Sequence, residues 1–409
     1  MRNAWREIPP TAGLPLRWCD FLPCHGASFE TKLANFLDVS QVQLECSGTA
    51  ALIIALTALA RSSTRRSVII PAYTCPLVAL AIAHCGLKPV LCDLRENHFD
   101  LCPDALRVLC NDDTLAVVPT HLGGRVADLA IVAKCARDVG ALVIEDAAQS
   151  LGATWREQSI GSIGDIGFYS LAVGKGLTLY EGGILVARDP SLRERMRDTS
   201  KDVSPYRLMW EMRRLLELIG YAALYRPTAL RLAYGLPLRR ALAKGKLIEA
   251  VGDDFSSDIP LHKLGAWRKA VGANALERLP AFLTAQSTQA VRRKQTLAAI
   301  PGISVMDDSG NGHGTWPYFM VLMPTTQARD DALSLLWPAA LGASRLFIHA
   351  LPDYPYLASL TGAPHVPRAR DFAARMLTVS NSLWLRDQEF SQVCLALTRC
   401  AGSARQQRH

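Results

Sequence analysis

The chain has 409 residues, of which 49% are hydrophobic and 20% are charged, and its formal net charge is +8. This is the composition of an ordinary globular protein, so it excludes wholesale disorder, collagen-like repeats and coiled-coil fibres. No apolar run approaches the ~20 residues that a membrane-spanning helix needs.

The eleven cysteines are scattered, and no two of them have the C-x-x-C spacing of a zinc or redox site. We therefore expect reduced, partly buried thiols and no metal site. Residues 1–7 are not followed by the hydrophobic core of a secretion signal, so we expect a cytoplasmic protein.

Helical and strand patterns alternate from residue 29 to residue 189. The predicted helices are 29–37, 50–60, 77–85 and 127–137, and the predicted strands are 68–70, 89–92, 115–119, 141–144, 166–171 and 184–187. Strands that alternate with helices indicate an α/β fold with a mainly parallel sheet covered on both faces. Ligands of such sheets bind at the carboxyl ends of the strands.

The pattern changes after residue 189. Residues 190–250 are helical and basic, and a second α/β region begins near residue 261. Its predicted elements are a helix at 264–283, a Gly-rich turn at 310–314, a strand at 318–323 and helices at 328–336 and 388–400. We predict a large domain of residues 1–255 with a helical insertion at about 200–250, and a smaller carboxyl-terminal α/β domain of residues 256–409.

Two motifs lie where a strand gives way to a loop or a helix. Ser47–Thr49 directly precedes an apolar helix, where free N–H groups and the helix dipole can bind a phosphate. Glu145–Gln149 ends a strand, so the Asp146 carboxylate can keep a ring nitrogen protonated and Gln149 can reach a ring hydroxyl. Taken alone, each motif also fits an ordinary helix cap.

Lys175 follows Ser170 by five residues, with an apolar run before it and a glycine on each side. A lysine beside apolar walls can lose its proton and act as an amine nucleophile. A solvated surface lysine is the alternative when this motif is taken alone. A tight Tyr180–Gly183 turn follows and leads into the next strand.

Together these motifs resemble the aspartate-aminotransferase-like (fold type I) enzymes that use pyridoxal phosphate, and more narrowly the DegT/StrS family of sugar aminotransferases. The resemblance is carried by four segments: ECSGTAALIIAL from Glu45, VPTHLGG from Val118, VIEDAAQSLGA from Val143 and GSIGDIGFYSLAVGKGLTLYEGG from Gly161. It implies the fold type I architecture, with a large domain on a sheet of the seven-stranded type, and a homodimer.

The resemblance also implies roles for individual residues. Lys175 would bind pyridoxal phosphate covalently and later move protons, Asp146 would pair with the pyridine nitrogen, and Gln149 would lie near the ring oxygen. The phosphate would be held by Gly48, Thr49 and Ser170. A related branch that dehydrates sugars carries His instead of Lys, so Lys175 favours amino transfer. The resemblance further implies glutamate as the amino donor and a keto-sugar as the acceptor, nucleotide-linked in most relatives. The pathway it implies is polysaccharide or glycoconjugate biosynthesis.

The sequence departs from the family pattern at two places. Cys75 stands where many members carry an aromatic residue that stacks on the cofactor, so either Tyr73 substitutes or Cys75 contacts the ring face. Leu261–Lys263 stands where the family has an Asn-x-Arg signature whose Asn reaches the phosphate of the neighbouring subunit. His262 or Lys263 can take that role.

Segment 205–246 contains nine basic and two acidic residues, which is nearly the whole net charge of the chain. One interpretation is a surface helical hairpin with a solvated basic face. The other is an amphipathic element that makes peripheral membrane contact with anionic lipid or contacts a lipid-linked or pyrophosphate-bearing substrate. A nucleic-acid partner is not expected, because no stacking-aromatic or groove-helix pattern accompanies the charge.

Two histidines are candidate substrate contacts. His121 lies in a loop near the cofactor in the family, and His349 lies where the smaller domain can face the cleft. Two alternatives to an aminotransferase stay open: another reaction on the same scaffold, such as a sugar dehydratase or an amino-acid lyase, and a non-catalytic regulator that binds the cofactor.

Overall fold

The computed structural model describes residues 5–23 and 26–406. The strands of this part are β1 (Gln43–Glu45), β2 (Ser67–Pro71), β3 (Lys88–Cys92), β4 (Thr114–Val117), β5 (Leu142–Asp146), β6 (Thr154–Trp155), β7 (Gln158–Ser159), β8 (Ile166–Ser170), β9 (Gly183–Ala187), β10 (Ser304–Val305), β11 (Gly312–His313), β12 (Tyr318–Leu322), β13 (Ala343–Ser344) and β14 (Met376–Ser380). The helices are α1 (Phe29–Leu37), α2 (Gly48–Ala60), α3 (Pro76–His84), α4 (Pro103–Leu109), α5 (Leu129–Asp138), α6 (Pro190–Val203), α7 (Leu208–Leu224), α8 (Pro227–Leu230), α9 (Leu236–Ala243), α10 (Leu247–Val251), α11 (Ala266–Leu276), α12 (Leu279–Ala298), α13 (Thr326–Ala339), α14 (Ala358–Thr361), α15 (Pro367–Arg375) and α16 (Asp387–Gln406).

A seven-stranded sheet with the order β1-β9-β8-β5-β4-β2-β3 forms the centre of the protein. Strands β3, β2, β4, β5 and β8 are parallel, and β9 pairs antiparallel with both β8 and β1. The predicted mainly parallel α/β sheet is therefore confirmed. Because β5 and β8 run parallel as neighbours, Asp146 and Ser170 come to the same edge of the sheet.

Helices α2 and α3 consist almost entirely of apolar residues. A helix that is apolar all round is stable in water only when it is buried on every side. Here α2 packs on β8, β9, α3 and α6, and α3 packs on β3 and on α14 of the carboxyl-terminal region. These contacts place the start of α2 beside the ends of β8 and β9.

The carboxyl-terminal region contains a second sheet with the order β10-β12-β14-β13, in which every pairing is antiparallel. The single helix predicted at 264–283 is wrong in one respect, because the structure has two helices, α11 and α12, at this place. Pro280 lies in the first turn of α12, where its missing N–H costs nothing, whereas inside a continuous helix it would remove a hydrogen bond. The domain boundary at residue 255 stays a prediction.

The predicted insertion is helical, with α6 to α10 following one another, and no strand lies between β9 and β10 in the described chain. A buried ion pair between Arg268 of α11 and Glu211 of α7 attaches it to the body of the protein. A second attachment runs to the amino-terminal segment, where the Gly13 N–H donates to the Tyr225 hydroxyl at 3.2 Å.

The ten cysteines in the described residues are all free thiols, and Cys24 lies outside those residues. Within residues 5–23 and 26–406 there is no group of three or more His, Cys, Asp or Glu side chains arranged to hold a metal ion. The same part of the chain has no helix with the length and apolar character needed to cross a bilayer.

Candidate active site

A cavity of about 550 Å³ lies at the carboxyl ends of β5 and β8, between the large sheet and the start of α2. The structure brings six of the residues singled out in the sequence to this cavity: Gly48, Thr49, Asp146, Gln149, Ser170 and Lys175. A carboxylate, an amine, hydroxyl groups and a helix amino terminus therefore share one space.

The start of α2 forms one end of the cavity. The Ser47 side chain caps the helix by accepting a hydrogen bond from the Ala50 N–H at 3.0 Å, and Ser47, Gly48 and Thr49 all line the cavity. A Cβ at Gly48 would come within 3.1 Å of the Ser170 Cβ, and a Cβ at Gly183 would come within 2.2 Å of the Ser47 carbonyl oxygen. Glycine at both positions lets the helix begin directly beside β8 and β9, which suits the binding of an anion.

Asp146 is buried at the end of β5. Its Oδ1 accepts a hydrogen bond from the Ala148 N–H at 3.1 Å, which fixes the orientation of the carboxylate. Burial raises the pKa of Asp146, and the Ala148 N–H and the Lys175 charge oppose this rise only in part. A protonated ring nitrogen beside this carboxylate would supply the missing positive charge.

Lys175 lies in the loop that follows β8. Its backbone N–H donates to the Ala172 carbonyl at 3.2 Å, and Gly174 before it has a φ of +82°, a conformation that favours glycine. Burial lowers the pKa of the Lys175 amine, whereas the charge of Asp146 acts in the opposite direction. A lowered pKa increases the fraction of neutral, nucleophilic amine.

Gln149 has its side-chain oxygen occupied by the protein. The Oε1 atom accepts from the Gly123 N–H at 2.8 Å and from the Tyr318 hydroxyl at 2.6 Å. The amide is therefore held with a known orientation, and its Nε2 group is the end that can donate to a ring oxygen.

Glu181 lines the cavity from the turn that precedes β9, and it connects this turn to the insertion. Its Oε2 accepts from Trp210 Nε1 at 3.2 Å, from His262 Nε2 at 3.3 Å and from Arg214 Nε. Burial would raise the pKa of Glu181, but the hydrogen bond from His262 and the charge of Arg214 lower it. Arg214 itself lines the cavity, a role that the sequence did not reveal because it stands among many other basic residues.

Asp253 follows α10 and closes the cavity from the insertion side. Its Oδ2 accepts from the Ile348 N–H at 2.7 Å and from the Tyr354 hydroxyl, while its Oδ1 has no hydrogen-bond partner among the described residues. Burial raises the pKa of Asp253 to about 6. No sequence signal distinguishes this residue from other loop aspartates.

The replacement Asp253→Asn is expected to remove part of the pH dependence of stability. With a raised pKa, the folded state binds this proton more tightly than the unfolded state between roughly pH 4 and pH 6, so the free energy of unfolding falls as pH rises through that interval, by up to about 3 kcal/mol. Asparagine has no such proton. The thermal unfolding midpoint of the variant should therefore rise relative to that of the wild type as pH rises. A difference between the two midpoints that does not change with pH would contradict the raised pKa of Asp253.

Of the two residues considered for the ring face, only Cys75 lines the cavity. Burial raises the pKa of the Cys75 thiol to about 12, so it presents a neutral surface. Tyr73 is buried elsewhere, with its ring against Phe347 and Phe372 and its hydroxyl donating to the Phe347 carbonyl at 3.2 Å.

The two candidate histidines do not line the cavity. His121 is fully buried, with Nε2 3.1 Å from Glu145 Oε2 and Nδ1 accepting from the Ala127 N–H at 3.1 Å, so both ring nitrogens are occupied. The His349 ring packs edge-on against Tyr354 at 5.3 Å. Both rings therefore pack against groups of the protein outside this cavity, and a substrate contact by either histidine stays a prediction.

Most of the chain matches a known family of proteins. The sequence model of the DegT/DnrJ/EryC1/StrS aminotransferase family matches residues 24–221 and 260–398. The chain belongs to this family. The match leaves out residues 222–259, which hold the second half of the insertion and Asp253.

Curated relatives agree with this membership over part of the chain. Protein MosB of Rhizobium meliloti is 36% identical over 171 residues, which are 42% of this chain and 34% of MosB. GDP-perosamine synthase of Caulobacter vibrioides is 34% identical over 209 residues, which are 51% of this chain and 54% of that enzyme. The matched part of the chain therefore spans about a third to a half of the length of these relatives.

Solved structures of other proteins confirm the fold. DesV of S. venezuelae, in complex with a ketimine intermediate, superposes with a TM-score of 0.70 at 23% identity and covers 93% of this chain and 91% of its own. DesI, determined in the presence of its TDP-sugar product, gives 0.73 at 21% identity, with 100% of this chain and 96% of its own covered. The large mainly parallel sheet with its flanking helices is the architecture predicted from the sequence.

The cavity fits the pyridoxal phosphate that family membership implies. The helix start at Gly48 can hold the phosphate, the buried carboxylate of Asp146 needs a cation that a pyridinium would provide, and Lys175 presents an amine in the same cavity. The donor set thus matches the phosphate, the ring nitrogen and the aldehyde of this cofactor.

Proposed function

We propose that the protein is a pyridoxal-phosphate-dependent aminotransferase that moves an amino group from glutamate to a keto-sugar, such as a nucleotide-linked one. The observation that carries the proposal is the meeting of Lys175, Asp146 and the α2 start in one cavity. The membership of the DegT/DnrJ/EryC1/StrS aminotransferase family supports the reaction class.

The bound cofactor supplies the electron sink that stabilises a carbanion, and the protein supplies binding, orientation and proton transfer. Asp146 would keep the ring nitrogen protonated through its buried carboxylate. Gly48, Thr49 and Ser170 would hold the phosphate at the helix start. Lys175 would provide a neutral amine, and its Nζ would then take the proton that leaves the α-carbon of the donor amino acid.

A half-reaction separates this function from its alternatives. The purified protein, loaded with pyridoxal phosphate and mixed with L-glutamate alone, should convert the cofactor to its pyridoxamine form and release one equivalent of 2-oxoglutarate. L-Glutamine and L-aspartate serve as comparison donors. A loaded protein that leaves all three amino acids unchanged would favour a dehydratase, a lyase or a cofactor-binding regulator instead.

A homodimer that completes the phosphate end is the second part of the proposal. His262 is fully buried, and both of its ring nitrogens lie within hydrogen-bond distance of groups in its own chain, namely Glu181 and the Lys263 carbonyl. Lys263 itself is exposed. Its side chain is therefore the candidate for reaching the phosphate of a second subunit.

The variant Lys263→Ala should stay dimeric by light scattering and release its cofactor more readily. A hydrogen bond to a charged group is worth about 1.5–3 kcal/mol, so the Kd of pyridoxal phosphate should rise about tenfold or more. Lys244→Ala, which removes another exposed lysine, is the matched control. Equal cofactor affinity in the two variants would remove Lys263 from the site.

The third part of the proposal is peripheral contact between the insertion and anionic membrane lipid. On α7 the side chains Leu208, Met209, Met212 and Leu216 are between 51% and 77% exposed. At 100° per residue they fall within roughly 100° of the helix circumference, which makes a single apolar face. Arg207, directly before α7, and Arg213 on α7 are exposed on the same stretch of chain.

Co-sedimentation with lipid vesicles tests the membrane contact. Binding to phosphatidylglycerol vesicles should be strong at low salt and should fall at high salt, since each basic residue near such a surface contributes ~1 kcal/mol. Leu216→Glu should weaken binding, whereas Leu395→Glu, at an exposed leucine on α16, should not. No sedimentation at low salt would remove the membrane contact.

A further inference from the structure

A second cavity adjoins the candidate active site on the other side of loop 173–176. Its volume is about 690 Å³, within the ~300–1,000 Å³ typical of small-molecule sites. Gln149, Val173, Lys175 and Leu346 line both cavities. A molecule in the second cavity therefore lies within reach of the same lysine.

The walls of the second cavity are largely apolar and come in good part from the insertion. Lys175 and Glu217 are the charged residues among those that line it. Six lining residues lie in the stretch 222–259 that the family match leaves out, and they are Leu224, Tyr225, Leu230, Ala233, Tyr234 and Val251. The second cavity is thus built in part by a stretch of this chain that the family pattern does not describe.

The chemistry of these walls selects the occupant. A diphosphate needs several cations to replace its water, and the single lysine here is shared with the neighbouring site. Apolar walls instead favour a hydrocarbon group, whose burial contributes about 0.8 kcal/mol for each CH₂. The second cavity is therefore suited to a chain of CH₂ groups and poorly suited to a nucleotide.

A buried polar group adds an independent indication of a ligand. Gln286 lines the second cavity with only 1% of its surface exposed, and its Oε1 has no hydrogen-bond partner among the described residues. Leaving such an acceptor unpaired costs about 1–3 kcal/mol. A hydroxyl or amide N–H on a bound molecule would remove that cost.

The second cavity also leads toward the surface on the side of α7. Leu224 lines it and is 46% exposed, and Gly220 lines it one helical turn earlier. Both follow Leu216 of the exposed apolar face along the same helix. Leu216, Gly220 and Leu224 follow one another at four-residue spacing, so they lie along one side of the helix between that face and the cavity.

We propose that the second cavity binds a single acyl or alkyl chain carried by the sugar substrate, so that the sugar end of the molecule reaches Lys175. This inference rests on the proposed function and extends it, because it names the acceptor as a lipid-bearing keto-sugar. The volume fits one chain of moderate length, whereas a long polyprenyl chain would protrude.

Titration calorimetry on the cofactor-loaded protein tests the second cavity directly, with dodecyl β-glucoside below its micelle concentration as the probe. Methyl β-glucoside and UDP-glucose are the comparison ligands. We expect one dodecyl chain to bind per subunit, at least tenfold more tightly than methyl β-glucoside. Equal binding of the two glucosides would overturn the proposal.

A matched pair of variants locates the chain. Gly220 lines the second cavity and Gly402 lies on α16, and a Cβ at either position would meet no atom within 4 Å. Gly220→Trp should weaken dodecyl glucoside binding at least tenfold, Gly402→Trp should leave it unchanged, and Val251→Phe serves as a second filling variant. Wild-type affinity for dodecyl glucoside in both filling variants would overturn the proposal. A filling variant with an altered dimer mass and unchanged affinity for the probe would also overturn it, because a second subunit would then occupy the space.

The glutamate half-reaction distinguishes failure of this inference from failure of the proposed function. A protein that reacts with glutamate but does not prefer the dodecyl probe keeps its function and loses the chain-binding cavity. A protein that binds the dodecyl probe but ignores glutamate keeps the cavity and loses the aminotransferase assignment.

Discussion

The variant Lys175→Ala is expected to fold normally, to lose the yellow colour of the bound cofactor and to be nearly inactive. Its side chain is both the covalent anchor and the proton carrier in the proposed function, and removal of a positioned acid–base group alone typically costs 10²–10⁴-fold in rate. Absorbance spectra with and without added pyridoxal phosphate, together with the glutamate half-reaction, measure the two losses separately.

Two matched variants make the Lys175 result specific. Lys175→Arg keeps the positive charge but offers no primary amine, so it should be as colourless as Lys175→Ala. Lys134→Ala removes an exposed lysine that is paired with Asp138, and it should behave as the wild type. A yellow, active Lys175→Ala protein would contradict the assignment of the anchor.

The variant Asp146→Asn is expected to keep its fold and its cofactor while turnover falls by about 10²–10³-fold, the usual cost of removing one preorganised electrostatic group from an active site. Asparagine has nearly the same shape and can still accept from the Ala148 N–H. It cannot keep a ring nitrogen protonated, because it carries no negative charge. Two quantities are measured: the rate of the glutamate half-reaction, which should fall, and the thermal unfolding midpoint, which should stay unchanged.

Asp138→Asn, at an exposed carboxylate that is paired with Lys134, is the control for Asp146→Asn. It should leave the rate of the half-reaction unaltered. Full activity in Asp146→Asn would show that the buried carboxylate does not act on the ring, and the motif at the end of β5 would then be a helix cap.

The strands of the large sheet could be predicted because they are buried on both faces and read as short apolar runs. Residues 68–70 and 184–187 lie within β2 and β9, as expected. The three-residue strand β1 and the pairs formed by β6, β7 and β11 have no such signal. Their residues are partly exposed, and pairing with distant partners rather than local preference makes them extended.

The residues of the candidate site also divide into those that the sequence could predict and those that only long-range packing brings to the cavity. Asp146 and Lys175 lie within thirty residues of each other and follow neighbouring strands, so chain order alone brings them together. Arg214 and Asp253 reach the cavity only because the insertion folds back over it, and no spacing rule describes that packing. His121 shows the opposite case, in which a loop position that looked functional is used to hold Glu145.

The buried pair between Arg268 and Glu211 bears on any attempt to shorten the protein. Deleting segment 205–246 would leave the Arg268 guanidinium enclosed without its acid, and removing one partner of such a pair costs about 3–5 kcal/mol. The same deletion would take Arg214 and Trp210 away from Glu181. Helix α7 is thus part of the structural minimum of this protein, and a version shortened by this segment would lose stability in the body that remains.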